Sequence, residues 1–326
     1  MPASEVKGGR VYRSLFDAGG AQIAIWRWAA AGERAGPPIL ILPELGLSKA
    51  FYEKFAANLQ ARGREVFLVE WRGAGDSSRP AKGAGGLEAL FLGDAPTALR
   101  VVLEATKAPR AVLLGHGLGG ASAVLVADGM KDKVAGLVLV SVPARYEVPN
   151  LAVEKFAGIV QARAVAPGPI ALRSWLELPL PFESKSATDL FELLLVHGDA
   201  FTSVRKDELR AALGTVAPEL VADVWRWMTS GELILRDGPV LPARGLGPAL
   251  AGLELPVLSI GSVRDNLVHL EHAFALRTAA PKAIQRELVV QRLEGFDSEA
   301  GHLMLTDEAL IRDLAAQIVT FQEELK

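Results

Sequence analysis

Between residues 10 and 30 the chain carries two strand-like runs, "RVYRSLFD" and "AQIAIWRWAA", separated by "AGG". That pattern predicts a β-hairpin. "PPILILPELGLS" (37–48) is a short apolar run bounded by prolines, as in a buried strand. "KAFYEKFAANLQARG" follows at helical spacing, with Phe51, Phe55 and Leu59 on one stripe and Gly63 placed to end the helix. "REVFLVEWRGAGDSS" reads as a strand and then a glycine-rich loop. Residues 87–107 read as a helix with Leu92, Ala95, Leu99 and Leu103 on one face. A strand at 111–114, a helix to about Asp128 and the strand "AGLVLVSVP" complete this part.

The pattern changes between about 147 and 250. Segments there read as mostly helical, interrupted by "APGP" and "LPLPF", and hold Trp175, Trp225 and Trp227. Strand character returns in "LPVLSIGSVRDN", followed by a helix near 268–279, a last strand in "RELVVQRLEG" and a last helix over 306–325. Strands alternating with helices imply an α/β fold: a mostly parallel sheet covered on both faces. The predicted organisation is a core of residues 1–146 and 251–326, with a helical cap from 147–250 over the carboxyl edge of the strands, where ligands sit in such sheets.

Composition narrows the classes. The chain has 326 residues, net charge −3 and no basic run, which argues against a nucleic-acid partner. It has no cysteine, which excludes disulfides, thiolate metal sites and a cysteine nucleophile. The first residues lack a signal peptide's apolar stretch, and no apolar run approaches the roughly 20 residues of a membrane span. A soluble cytoplasmic protein without cofactor or metal is expected. His269 and His272 stand three apart on one helix, but spacing suggests no third ligand.

"GHGLGG" (115–120) satisfies two patterns. As G-x-G-x-x-G it suits a dinucleotide site, which also wants an acidic residue at the tip of the next strand. That tip offers Ser141 and Val142, while Asp128 and Asp132 precede the strand. As a nucleophile elbow it has small residues at Gly115, Gly119 and Gly120 around Gly117. The partners of an elbow follow as acid and then histidine, and Asp265 and His302 stand in that order.

These motifs resemble the α/β-hydrolase superfamily over nearly the whole chain. "ILPELGLSKAFYEKFAANLQARGREVFLVEWRGAGDSS" is similar to the family's stretch from the oxyanion loop to its R-G-x-G-x-S loop. "PVLSIGSVRDNLV" and "GHL" resemble its acid and histidine segments. The wording "VFLVEWRG", Pro43 and "GHGLGG" is nearest to the polyhydroxyalkanoate-synthase and lipase-like branch. The resemblance implies acyl-ester hydrolase or acyltransferase ancestry. It also implies a catalytic set at position 117, Asp265 and His302, with Glu44, Leu45, Leu118 and His116 around the oxyanion site and pocket.

Two residues depart from that family. Gly117 stands where the elbow presents serine or cysteine, so nothing there can attack a carbonyl. Ser122, the nearest hydroxyl in sequence, lies more than a helical turn away. Glu44 stands in a loop that is usually apolar or glycine-rich: pointing inward, its carboxylate opposes oxyanion charge and becomes a candidate general acid, and pointing outward, it is solvated like most loop glutamates. Three functions remain open. The chain is a noncatalytic or weakly active binder of an apolar or acyl-type ligand. Or it is a hydrolase or lyase in which a His302–Asp265 dyad activates water. Or it is a Ser/Cys hydrolase inactivated at 117. As blander alternatives, Asp265 is a helix cap and His302 an ordinary loop histidine.

Overall fold

The computed structural model describes residues 4–6, 9–80, 84–144, 170–171, 207, 209–236, 243–291, 301–306 and 308–325. The predicted hairpin forms from β2 (Gly9–Ala18) and β3 (Ala21–Trp28), with β1 (Ser4–Val6) added at its outer side. Its two-residue turn is Gly19–Gly20, with φ of 63° and 84°. A turn with both central residues at positive φ matches the twist of the paired strands and selects glycine.

The sheet continues through β4 (Ile39–Leu42), β5 (Val66–Val69), β6 (Ala111–His116), β7 (Val134–Val140), β12 (Pro256–Ser262) and β13 (Ile284–Val290). Its order among the described residues is β1-β2-β3-β5-β4-β6-β7-β12-β13. The pairs from β5 to β13 are parallel, and the hairpin side is antiparallel. Strands β4 to β7 are buried on both faces, so they read as unbroken apolar runs rather than alternations. The edge strand β13 is partly exposed, and Ile284 stands in solvent.

One face is covered by α1 (Lys49–Ala61) and the terminal α8 (Glu308–Glu323), which bury Phe51, Phe55, Leu59, Leu314 and Ile318. The other carries α2 (Ala95–Thr106), α3 (Leu118–Gly129) and α5 (Leu246–Ala251). The predicted 87–107 helix opens as a π-helical turn over Ala89–Asp94 before α2. That wider turn rotates the buried stripe to Ala95, Ala98, Leu99 and Val102, leaving Leu92 and Leu103 only partly buried. Asp94 at this junction receives Arg72 through Nε (2.9 Å) and Nη2 (2.5 Å), which pins the loop after β5.

The predicted cap is less uniformly helical in its described part. It contains α4 (Pro218–Ser230), with Trp227 buried and Trp225 half-buried. It also contains two small ladders: β8 (Ile170–Ala171) with β9 (Thr215–Val216), and β10 (Ile234–Arg236) with β11 (Ala243–Gly245). Strands of two or three residues are too short to show a period. Trp175 and His197 lie outside the described residues. The single helix predicted at 268–279 is two short ones, α6 (Leu270–Phe274) and α7 (Leu276–Ala279). β13 ends at Val290, and positions 292–300 of the predicted last strand and loop lie outside the described residues.

Candidate functional site

The end of β6, Gly117 and the start of α3 form a sharp strand-to-helix turn, with Gly117 at φ +50° and ψ −117°. The Gly117 N–H donates to the Val140 carbonyl at 2.9 Å, fixing the turn to the neighbouring strand. The flanking glycines are required by space. A Cβ on Gly115 would strike Gly120, one on Gly119 would strike the Leu42 carbonyl, and one on Gly120 would strike the Val142 side chain.

Glu44 follows β4, on the strand beside β6, and points inward. Its loop is held from behind: the Glu44 N–H donates to the Tyr52 hydroxyl (2.7 Å), and Trp71 Nε1 donates to the Pro43 carbonyl (2.9 Å). The carboxylate lies directly over Gly117. Oε1 accepts the Leu45 N–H at 2.5 Å. Oε2 accepts the Leu118 N–H at 3.2 Å and stands 3.0 Å from His302 Nε2. A Cβ built on Gly117 would overlap Glu44 Oε2 and lie 2.6 Å from its Cδ. The carboxylate therefore fills the volume that any side chain at 117 would need.

His302 lies behind Glu44, with its Nδ1 3.0 Å and 3.2 Å from the two Asp265 oxygens. Asp265 Oδ1 also accepts the N–H groups of Leu267 (2.9 Å) and Val268 (2.8 Å). Its capping role and its contact with His302 thus coexist. Burial alone would lower the His302 pKa, but the Asp265 charge and hydrogen bond, and then Glu44, outweigh it and push it up to about 10. For Asp265, burial raises the pKa, and the facing His302, joined by further hydrogen bonds that include the Val268 N–H, reverses this and holds the carboxyl below its ordinary value. His302 is thus held toward its protonated form, with Asp265 on one side of the ring and Glu44 on the other.

His116, expected from sequence near the oxyanion site and pocket, stands behind His302 in the core. It is wholly buried, stacked between the Phe51 and His302 rings. Burial first, and then the His302 charge, lower its pKa to about 4, so the ring is neutral. Its Nε2 lies 3.0 Å from the His302 carbonyl and must carry the proton. Nδ1 then accepts from the Tyr52 hydroxyl at 2.9 Å. One chain of bonds, Glu44 N–H to Tyr52 O–H to His116 to the His302 carbonyl, braces the loops that carry the two facing side chains. Tyr52 was not expected here. Its signal was a hydroxyl on the apolar stripe of α1, a position that needs a buried partner.

The sharp turn at 117, Glu44, Leu45, Leu118, Asp265 and His302 thus converge at one place. Ser122 is enclosed within α3 and does not join them. His269 and His272 stand together on the α6 segment, and among the described residues no three acidic or histidine side chains are grouped to hold a metal ion. The dinucleotide reading of "GHGLGG" loses its cradle, because an internal carboxylate holds the first N–H of α3. Among the described residues no helix is long and apolar enough to cross a membrane.

Residues 37–164 match the family described as "alpha/beta hydrolase fold". A putative carbamate hydrolase, RutD, from Variovorax paradoxus is 34% identical over 111 residues, which is 34% of this chain and 40% of that relative's length. Among solved structures, a thermophilic esterase from Thermogutta terrifontis superposes with a TM-score of 0.67 at 18% identity, over 96% of this chain and 99% of that one. The enol-lactonase from Burkholderia xenovorans gives 0.64 at 17% identity, over 95% and 100%. The parallel sheet with its antiparallel hairpin, the glycine turn between β6 and α3 and these likenesses agree: the chain has the α/β-hydrolase fold.

Proposed function

We propose that this chain is an α/β-hydrolase scaffold that does not carry out acyl transfer and serves as a ligand-binding protein. The observation that carries this reading is the Glu44 carboxylate over Gly117. In an acyl-transfer site of this fold, position 117 supplies the nucleophile, the Leu45 and Leu118 N–H groups receive the oxyanion, and a neutral His302 takes the proton. Glu44 displaces all three functions at once. It fills the nucleophile's space, occupies both N–H donors, and holds the histidine in its charged form, which cannot accept a proton.

The same geometry weighs against the two alternatives. A water-activating His302–Asp265 dyad needs an open Nε2, and Nε2 faces Glu44 Oε2. A hydrolase silenced by one substitution needs room for a serine or cysteine at 117, and Glu44 takes that room. The glycine and the glutamate form a matched pair.

The test is direct. The native protein should show no labelling by a fluorophosphonate probe and no hydrolysis of p-nitrophenyl acyl esters above a heat-denatured control. A labelled serine, or ester turnover abolished by His302→Ala, would reject the reading.

A further inference from the structure

We infer that the hydrogen-bonding polarity of this site is reversed, so that it receives a cationic, donor-bearing head group, an aliphatic ammonium, rather than a carbonyl or an anion. The inference rests on the binding-protein reading above and names its ligand class.

An incoming molecule meets the exposed atoms of the site first. His302 and Asp265 side chains are fully enclosed, whereas the Glu44 side chain retains 10% exposure. Glu44 is thus the group of the three that a ligand touches. An oxyanion site presents bare N–H donors at its mouth. Here the two donors, Leu45 N–H and Leu118 N–H, are both consumed by Glu44, and a carboxylate is presented instead.

Charge follows from proton counting alone. Both His302 nitrogens face a carboxylate oxygen, at 3.0 Å on each side, so each contact holds one proton. Two carboxylates and one imidazole sharing two protons carry a net charge of −1, wherever each proton resides. Among the described residues no lysine or arginine is paired with Glu44 or Asp265. The negative end of the assembly lies outward on Glu44.

Oε1 accepts one N–H and keeps acceptor capacity for another donor. Apolar side chains stand beside the carboxylates. Leu45, Leu118 and Leu267 supply N–H groups to the carboxylates and their side chains to the hydrophobic core, with Leu45 and Leu267 partly exposed. A carboxylate framed by leucines fits an ammonium on an alkyl chain, and repels a carboxylate or a carbonyl oxygen.

The experiment is isothermal titration of the full chain with three probes of equal tail: hexylammonium, hexanol and hexanoate, at pH 7.5. Hexylammonium is expected to bind at least 10-fold more tightly than either isostere, and Glu44→Gln to reduce that binding at least 10-fold. The ranking on the native protein decides the matter even if the variant fails to fold. Equal binding of all three, preference for hexanoate, or no binding by hexylammonium overturns the inference and leaves the absence of acyl transfer standing. Ester hydrolysis by the native protein would overturn the underlying reading instead.

Discussion

Placing a serine at position 117 without changing Glu44 should unfold the site rather than restore it. The new Cβ would lie 2.6 Å from Glu44 Cδ and overlap Oε2. Non-bonded carbons prefer about 3.5–4.0 Å, so the carboxylate must retreat by about 1 Å or more. Retreat breaks its bonds to the Leu118 N–H (3.2 Å) and to His302 Nε2 (3.0 Å). Hydrogen bonds to charged groups are worth about 1.5–3 kcal/mol each. A side chain at the φ of +50° and ψ of −117° seen at Gly117 adds about 1–3 kcal/mol. Gly117→Ser alone should therefore cost on the order of 4 kcal/mol, read by equilibrium urea denaturation. Because Glu44→Gly removes the obstacle, the double variant should recover a coupling of about 2 kcal/mol, near the upper part of the usual range for touching residues. It should also label with a fluorophosphonate, since Leu45 and Leu118 N–H groups and the His302–Asp265 pair are then released to act on the serine. A Gly117→Ser cost below about 0.5 kcal/mol, or strict additivity in the cycle, would refute the reasoning.

Tyr52→Phe strands the Glu44 N–H and the His116 Nδ1, both buried, and should cost about 1–3 kcal/mol in the same denaturation assay. His302→Ala leaves Glu44 and Asp265 facing an emptied space without their shared cation, and should cost about 3–5 kcal/mol. Stability should also fall on the alkaline side. Unfolded His302 titrates near ~6.5 and the folded group at about 10, so its contribution is complete below ~6.5 and is lost as pH rises toward 10, by at most about 5 kcal/mol. On the acid side, neutral His116 loses its contribution as pH falls from ~6.5 through about 4, and Asp265, held low, loses its own at still lower pH. Denaturation midpoints from pH 4 to 10 check this profile, and a plateau between pH 7 and 10 would count against it.

Much of this was legible in the residues. The hairpin announced itself through Gly19–Gly20, the central strands through their apolar runs, and the sharp turn through the three small residues around Gly117. Those signals are local, because they follow from backbone sterics and from burial on both faces. The order of Asp265 and His302 was likewise readable, and the structure brings the two side chains together. The direction of Glu44 was not readable. A loop glutamate is ordinarily solvated, and its turn inward depends on partners far along the chain: Leu118 on α3 and His302 beyond β13. The brace through Tyr52 and His116 was hidden for the same reason, since it joins positions 64 residues apart and then His302, a further 186 away. The π-helical opening before α2 escaped the helical period, because one wide turn rotates the face without changing composition.

The glycine at 117 and the glutamate at 44 thus acquire a single meaning. In the function proposed above, each alone departs from an acyl-transfer site, and together they close it. The Glu44 carboxylate fills the space over Gly117, accepts the Leu45 and Leu118 N–H groups and stands 3.0 Å from His302 Nε2.

The most direct measurement is the protonation state of His302 in the intact protein, from the ring nitrogen shifts of ¹⁵N-labelled histidine followed from pH 5 to 10. An imidazolium held by Glu44 and Asp265 keeps both nitrogens protonated at pH 8 and titrates near 10. A His302 ring that is neutral at pH 8 and titrates at or below its ordinary value of about 6.5 would contradict the account, because such a histidine is free to act as a base.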